Sequence, residues 1–199
     1  MSGVGLVAVV MGVVVLAASV KGALGDAIAP WEARAFRAVN DLPDALFVPL
    51  WLPMQLGNLV VGSLAGLLVA LVLGEWRLAG AVVVAVVLKV VVEHLVRRRM
   101  ADHLAVRQRP GTSEPGAVLR GGDVPTTGPS FPSGHVILVA AVTCAVVDLL
   151  PGGWGWLVFA LPLVVMVSRV YVGAHNPLDV TAGLGAGLLV GGLVALVVG

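Results

Sequence analysis

The chain has 199 residues, 59% of them hydrophobic and only 12% charged, with a mean hydropathy of +1.04. Soluble domains carry roughly a quarter charged residues, so this composition excludes a water-covered globule and points to lipid. The net charge of +1 excludes a nucleic-acid partner, because neutralising a phosphate backbone takes a broad basic face, and a single cysteine, Cys144, excludes a disulfide framework within one chain.

In chain order, Gly3 to Val20 is an uncharged apolar run followed by Lys21, of a length that fits a tilted membrane span. It has no basic leading region and no small-residue cleavage site before Lys21, so it reads as a span rather than a signal peptide. Between Asp26 and Asp44, Trp31, Phe36, Val39 and Leu42 alternate with Glu32, Arg34, Arg37 and Asn40. That spacing predicts a short helix in the headgroup plane, anchored by Trp31. Ala45 to Gly74 carries no charge; Pro49, Pro53, Gln55 and Asn58 predict a re-entrant or kinked first third, and the rest a clean span.

Glu75-Trp76-Arg77 is a polar turn, and Leu78 to Val96 is the third expected span, with Lys89, Glu93 and His94 towards its end. Lys89 and Glu93 are four apart and share a helix face; pairing with Glu93 and a catalytic role are both open for Lys89. Residues 97–132 are rich in Arg, Gly, Pro and Thr, and a loop of that length is functional or disordered. Val136 to Leu150, Gly152 to Val167 and Val180 to Gly199 complete six spans, with Pro151-Gly152-Gly153 turning the chain between the fourth and fifth. Gly183, Gly187 and Gly191 form a flat stripe on the last, expected to pack within the subunit. The fold class is therefore all-α: a polytopic membrane protein of six transmembrane helices and a short interfacial helix, in one domain over residues 1–199.

Six spans put residues 21–44, 97–132 and 168–179 on one face, and two polar knots lie there. In the first, His175 and Asp179 are four apart with Pro177 suited to the first turn of a helix. The aspartate could fix the imidazole tautomer and leave a nitrogen lone pair free for nucleophilic attack; a helix-capping aspartate beside an incidental histidine is the competing reading. In the second knot, Ser133 suits an N-cap, Gly134 admits an oxygen close to the main chain, and His135 stands where it can protonate a leaving group. Arg169 and Arg109 offer forked donors for phosphate oxygens, enough with a helix N-terminus to neutralise a phosphoryl group without a metal. His94 and His103 do not stand at ligand spacing, so no metal and no cofactor is expected.

Ser168-Arg169, five residues, His175, three residues, Asp179 resembles the third signature of the type-2 phosphatidic acid phosphatase superfamily. Pro132-Ser133-Gly134-His135 resembles the second, and Arg109-Pro110 the end of the first; together the resemblance covers about residues 75 to 195. It implies a metal-independent lipid-phosphate phosphatase in which His175 attacks phosphorus, His135 protonates the departing group and water releases phosphate from the phosphohistidine. Asp179 would orient His175, while Arg109, Arg169, Ser133, Gly134 and Ser168 would hold the phosphoryl group. The first signature of the family carries a lysine seven residues before its last arginine, where this chain has Asp102. Lys89 could supply the ammonium if Met100 to Val106 is an insertion; Arg97, Arg98, Arg99 and Arg107 are the other candidates.

The implied substrate is a lipid phosphate whose tail stays in the bilayer. A polyprenyl diphosphate comes first, for recycling in envelope synthesis, with phosphatidylglycerol phosphate, phosphatidate and a prenyl-linked sugar phosphate as alternatives. A non-catalytic lipid-phosphate binding or transport protein is the reading of another class. Ten arginines against two lysines suit a GC-rich bacterial source, hence a bacterial plasma membrane. Nearly all basic residues fall on the side of the two knots, which by the positive-inside rule faces the cytoplasm; the family resemblance leans to an extracytoplasmic site.

Overall fold

The computed structural model describes residues 3–25, 28–103, 107–122, 124–147 and 151–198, and among them every regular element is helical. Helices α1 (Gly3–Gly22) and α9 (Pro177–Val198) form the frame. They meet backbone to backbone: a methyl on Gly12 would strike Leu189 and the Gly185 carbonyl, and one on Gly185 would strike Leu16 and the Gly12 carbonyl. The other face of α9 carries Gly183, Gly187 and Gly191 against α7 (Gly134–Val146), where the carbonyls of Ser133, Ile137 and Ala141 stand in the space side chains would need. The stripe thus packs within the subunit. It lets α7 approach α9 so closely that the Ser133 N–H donates to the Asp179 carbonyl at 2.9 Å.

Among the described residues, three helices are long and apolar enough to cross a bilayer: Gly3–Gly22, Trp76–Leu95 and Pro177–Val197. A fourth candidate is the pair Asp44–Gly57 and Leu59–Leu73, bent by 75°. It contains α3 (Phe47–Met54) and α4 (Leu59–Leu73), and Asn58 at the bend caps α4 by accepting from the N–H groups of Val60 and Val61. A kinked segment was expected from Pro49, Pro53, Gln55 and Asn58 in the first third of 45–74; the bend lies at Asn58, just past that third. By length and composition the count is three to four, against six expected. Helix α7 has 13 residues, about 20 Å at 1.5 Å per residue, against roughly 30 Å of hydrocarbon; the expected end of that span, Leu150, lies outside the described residues. The fifth expected span opens as a 3-10 segment, Pro151–Phe159, before α8 (Ala160–Tyr171), because a glycine-rich start has poor helix propensity.

Two other boundaries differ from expectation. Helix α5 (Trp76–His103) runs past Val96, since arginine, methionine and alanine are good helix formers. Helix α2 (Pro30–Asn40) has proline in its first turn and buries Glu32, Phe36 and Asn40 at four-residue spacing, while Trp31 stays exposed. It therefore turns one stripe into the protein, while Arg34 and Arg37 stay exposed on the helix's other side. Asn40 explains half of this: its amide donates to the carbonyls of Val118 and Tyr171, each at 2.9 Å, and accepts from the Val118 N–H at 2.8 Å. Arg120 completes the clamp, donating to the carbonyls of Asn40, Leu42 and Tyr171 and stacking 4.2 Å over the Tyr171 ring. The loop after residue 107 is thereby folded onto the end of α8.

Candidate active site

The C-terminal turn of α8 delivers Arg169, and the chain reverses through Gly173 at φ 76°, a left-handed conformation natural only to glycine. The N–H groups of Ala174 and His175 both donate to the Arg169 carbonyl, at 3.1 and 3.3 Å, so the arginine and histidine are tied through main chain. From the loop, Arg109 reaches the same turn and donates to the Ala174 carbonyl at 3.0 Å. Arg109 is itself held as the N-cap of α6 (Pro110–Ser113).

Pro177 opens α9, and Asp179 is its third residue. The Asp179 Oδ2 accepts from the Asn176 N–H at 2.8 Å, the reciprocal cap of a helix start. The same oxygen stands 3.7 Å from His175 Nδ1, beyond hydrogen-bond length, although such contacts tighten when substrate binds. The aspartate thus caps the helix and borders the imidazole.

Ser133 occupies the N-cap position of α7, but its hydroxyl makes no cap bond; its Oγ is buried and has no hydrogen-bond partner among the described residues. His135, second in α7, is half-buried and lies within electrostatic reach of Arg169, His175, Lys89 and Arg109. Four of the candidates thus lie around the His135 imidazole. Lys89 pairs with Glu93 at 2.6 Å, and the Glu93 carboxylate borders Gly134, where a methyl group would meet it at 2.6 Å. Arg169 also reaches α3, its guanidinium 3.6 Å from the Met54 sulfur. Ser168 stands apart, its hydroxyl donating to the Val164 carbonyl at 2.7 Å within its own helix.

Ser133, His175 and Asp179 are at most 2% exposed and Arg169 is 5% exposed, so charge in this site acts through little water. Burial holds the His175 imidazole far below the ordinary histidine value, at about 4; Asp179 opposes that shift, and Arg169 and Arg109 reinforce it. His175 is thus neutral near pH 7, with one ring nitrogen keeping its lone pair. Neighbouring guanidinium and ammonium groups can neutralise the equatorial oxygens of a transferring phosphoryl group.

Of the basic residues weighed for the displaced lysine, Lys89 alone is brought to His135 among those whose side chains are described. Arg107 is held elsewhere, bound to Glu32 and to Asp179. Arg98 is exposed, as is His94. The side chains of Arg97, Arg99, Asp102 and His103, and the stretch 104–106, lie outside the described residues, though α5 carries the backbone helically through Met100 to His103. Sequence reasoning missed Glu32, Asn40 and Arg120 as organisers of this region. The four-residue spacing of Glu32, Phe36 and Asn40 was the available signal for the first two; Arg120, whose partners are distant carbonyls, left none.

The family profile described as PAP2 superfamily matches residues 74–199. Decaprenylphosphoryl-5-phosphoribose phosphatase of Mycobacterium tuberculosis is 34% identical over 125 residues, 60% of this chain and 59% of the relative. Undecaprenyl-diphosphatase of Sulfolobus acidocaldarius is 50% identical over 56 residues, 27% of this chain and 26% of the relative. The chain thus spans about three fifths or less of these relatives. Two solved structures share the fold. LpxE of Aquifex aeolicus superposes with a TM-score of 0.67 at 21% identity, covering 82% of this chain and 93% of that one. The transmembrane PAP2 type phosphatidylglycerolphosphate phosphatase from Bacillus subtilis superposes at 0.66 with 20% identity, covering 96% and 93%.

Proposed function

The chain belongs to the PAP2 superfamily, and from that premise we propose that it is a membrane phosphatase acting on a polyprenyl-linked phosphate through a phosphohistidine. The observation that carries the proposal is the gathering of His175, Arg169, Arg109 and Lys89 around His135. In the reaction, a neutral His175 nitrogen attacks phosphorus and the phosphorus–oxygen bond to the leaving group breaks. The negative charge of the bound phosphoryl oxygens favours a protonated His135, which gives that proton to the departing oxygen and then takes one from the water that hydrolyses the phosphoimidazole, so that inorganic phosphate leaves and both imidazoles are restored. Arg169, Arg109, Lys89, the Ser133 hydroxyl and the main chain at Gly134 hold the phosphoryl oxygens, and no metal or cofactor takes part. Asp179 borders the imidazole that becomes cationic on attack and offsets that charge.

A polyprenyl diphosphate is the first substrate reading. The second, a prenyl-linked sugar phosphate, is favoured by the likeness to decaprenylphosphoryl-5-phosphoribose phosphatase, which spans more of the chain than the likeness to the diphosphatase. We read residues 1–199 as one domain, with α7 and the segment through α8 completing six crossings where the described helices supply three to four by length. We read the site as extracytoplasmic; the bonds of Arg107, Arg109 and Arg120 to named partners inside the protein weaken the arginine excess as a signal of cytoplasmic orientation and so support that reading.

The test is phosphate release by the full chain in detergent with chelator present. Farnesyl diphosphate, a prenylphosphoryl sugar phosphate and phosphatidylglycerol phosphate are compared for wild type and His175→Ala. Release from a prenyl substrate that His175→Ala abolishes supports the proposal. Tight binding without turnover across the panel would leave a lipid-phosphate binding protein instead.

A further inference from the structure

Helix α2 precedes the stretch that the family profile matches, yet it sends a carboxylate into the site. Glu32 is 0% exposed, an expensive place for a charge unless it is paired. Its Oε1 accepts from the Leu178 N–H, in the first turn of α9, at 2.9 Å and from an Arg107 terminal nitrogen at 2.5 Å. The Nε of the same guanidinium donates to Asp179 Oδ1 at 3.0 Å, with Arg107 and Asp179 both buried. The other oxygen of Asp179 is the one that faces His175 Nδ1.

We propose that Glu32 and Arg107 are positioning residues that fix Asp179, and through it His175, for the phosphoryl transfer. The proposal rests on the reading of His175 as nucleophile. One guanidinium between two buried carboxylates leaves a net negative charge in the triad. Arg107 is shared, so Asp179 is not fully neutralised and keeps charge to offset the imidazolium that forms on attack. Replacing Glu32 by glutamine keeps an acceptor for Leu178 and for Arg107 but removes that sharing. Arg107 then neutralises Asp179 alone, and the positive charge on His175 loses its counterweight. Phosphate binding, which involves other residues, is left in place.

The experiment uses the full chain in detergent and farnesyl diphosphate. Glu32→Gln is expected to lower kcat about tenfold or more, the usual scale for a group that orients a reacting one, with KM within about twofold of wild type and an unchanged melting temperature. Arg107→Lys, which cannot bridge both carboxylates, is expected to do the same, and the double variant to lose far less than the product of the two. A second readout does not depend on turnover: in protein labelled with nitrogen-15 at histidine, the His175 resonances, assigned by their loss in His175→Ala, are expected to move in Glu32→Gln. Wild-type kcat together with unmoved His175 resonances in folded Glu32→Gln overturns the positioning role. Moved resonances in a chain that hydrolyses no prenyl phosphate keep the positioning role and overturn the phosphatase reading.

Discussion

Ser133→Ala separates what the site does from what holds the fold together. The Ser133 hydroxyl is buried at the head of α7 with no hydrogen-bond partner among the described residues. A buried polar group in that condition costs about 1–3 kcal/mol, so deleting it should leave the unliganded protein as stable as wild type, or more stable by up to that amount. On the proposed function, the hydroxyl in the loaded site donates to a charged phosphoryl oxygen. Such a bond is worth about 1.5–3 kcal/mol, which corresponds to a loss of roughly 10- to 150-fold in kcat/KM. Thermal unfolding in detergent, with and without orthovanadate as a phosphate analogue, is measured beside phosphate release. The expected pattern is an unchanged or raised melting temperature, a smaller stabilisation by vanadate, and slow turnover. A variant that melts well below wild type, or that turns over normally, refutes the assignment of the hydroxyl to the phosphoryl group.

Three more outcomes follow from the geometry. With His175 held at about 4 rather than 6.5, its neutral form persists down to that pH, so the acid limb of kcat/KM due to this group should fall near pH 4. The unfolded chain binds that proton between about 4 and 6.5 while the folded one does not, so this group makes the protein less stable as pH drops through that window; unfolding followed across pH 4 to 7 checks the sign. Gly187→Ala places a methyl 2.6 Å from the Ile137 carbonyl and the Ala140 Cβ, an overpacking without rotamer relief that should cost about 1–3 kcal/mol, read as a lowered melting temperature. In a Cys144→Ser background, Gly121→Cys should react with an impermeant thiol reagent from outside intact cells and Trp76→Cys should not; the reverse pattern puts the site in the cytoplasm.

Much of the site was legible because it sits in two short runs of sequence. Ser133-Gly134-His135 and the stretch from Ser168 to Asp179 carry their chemistry in local spacing, and α7 and α9 bring the runs together through glycines visible as a four-residue stripe. The bend at Asn58 was legible for the same reason. What was not legible depends on distant partners. Glu32 looked like part of a polar interfacial face until the N-terminus of α9 and Arg107 were seen to meet it. Arg107 looked like a spare phosphate ligand until both its arms were found engaged. Ser168 belongs to the third signature, yet its hydroxyl returns to the Val164 carbonyl, a bond that α8 itself provides and that a motif does not reveal. The described helices supply three to four spans by length and composition where six were expected, because regular helix is short in α7 and in the glycine-rich start of the segment leading to α8.

The most direct measurement is a rapid quench of the full chain with farnesyl diphosphate labelled in its terminal phosphate, held at alkaline pH to preserve phosphohistidine and mapped by mass spectrometry. A phosphoryl group on His175 that appears before free phosphate, and that is absent in His175→Ala, is the predicted result. Label on another residue, or free phosphate released at the wild-type rate by His175→Ala, would contradict a transfer through His175.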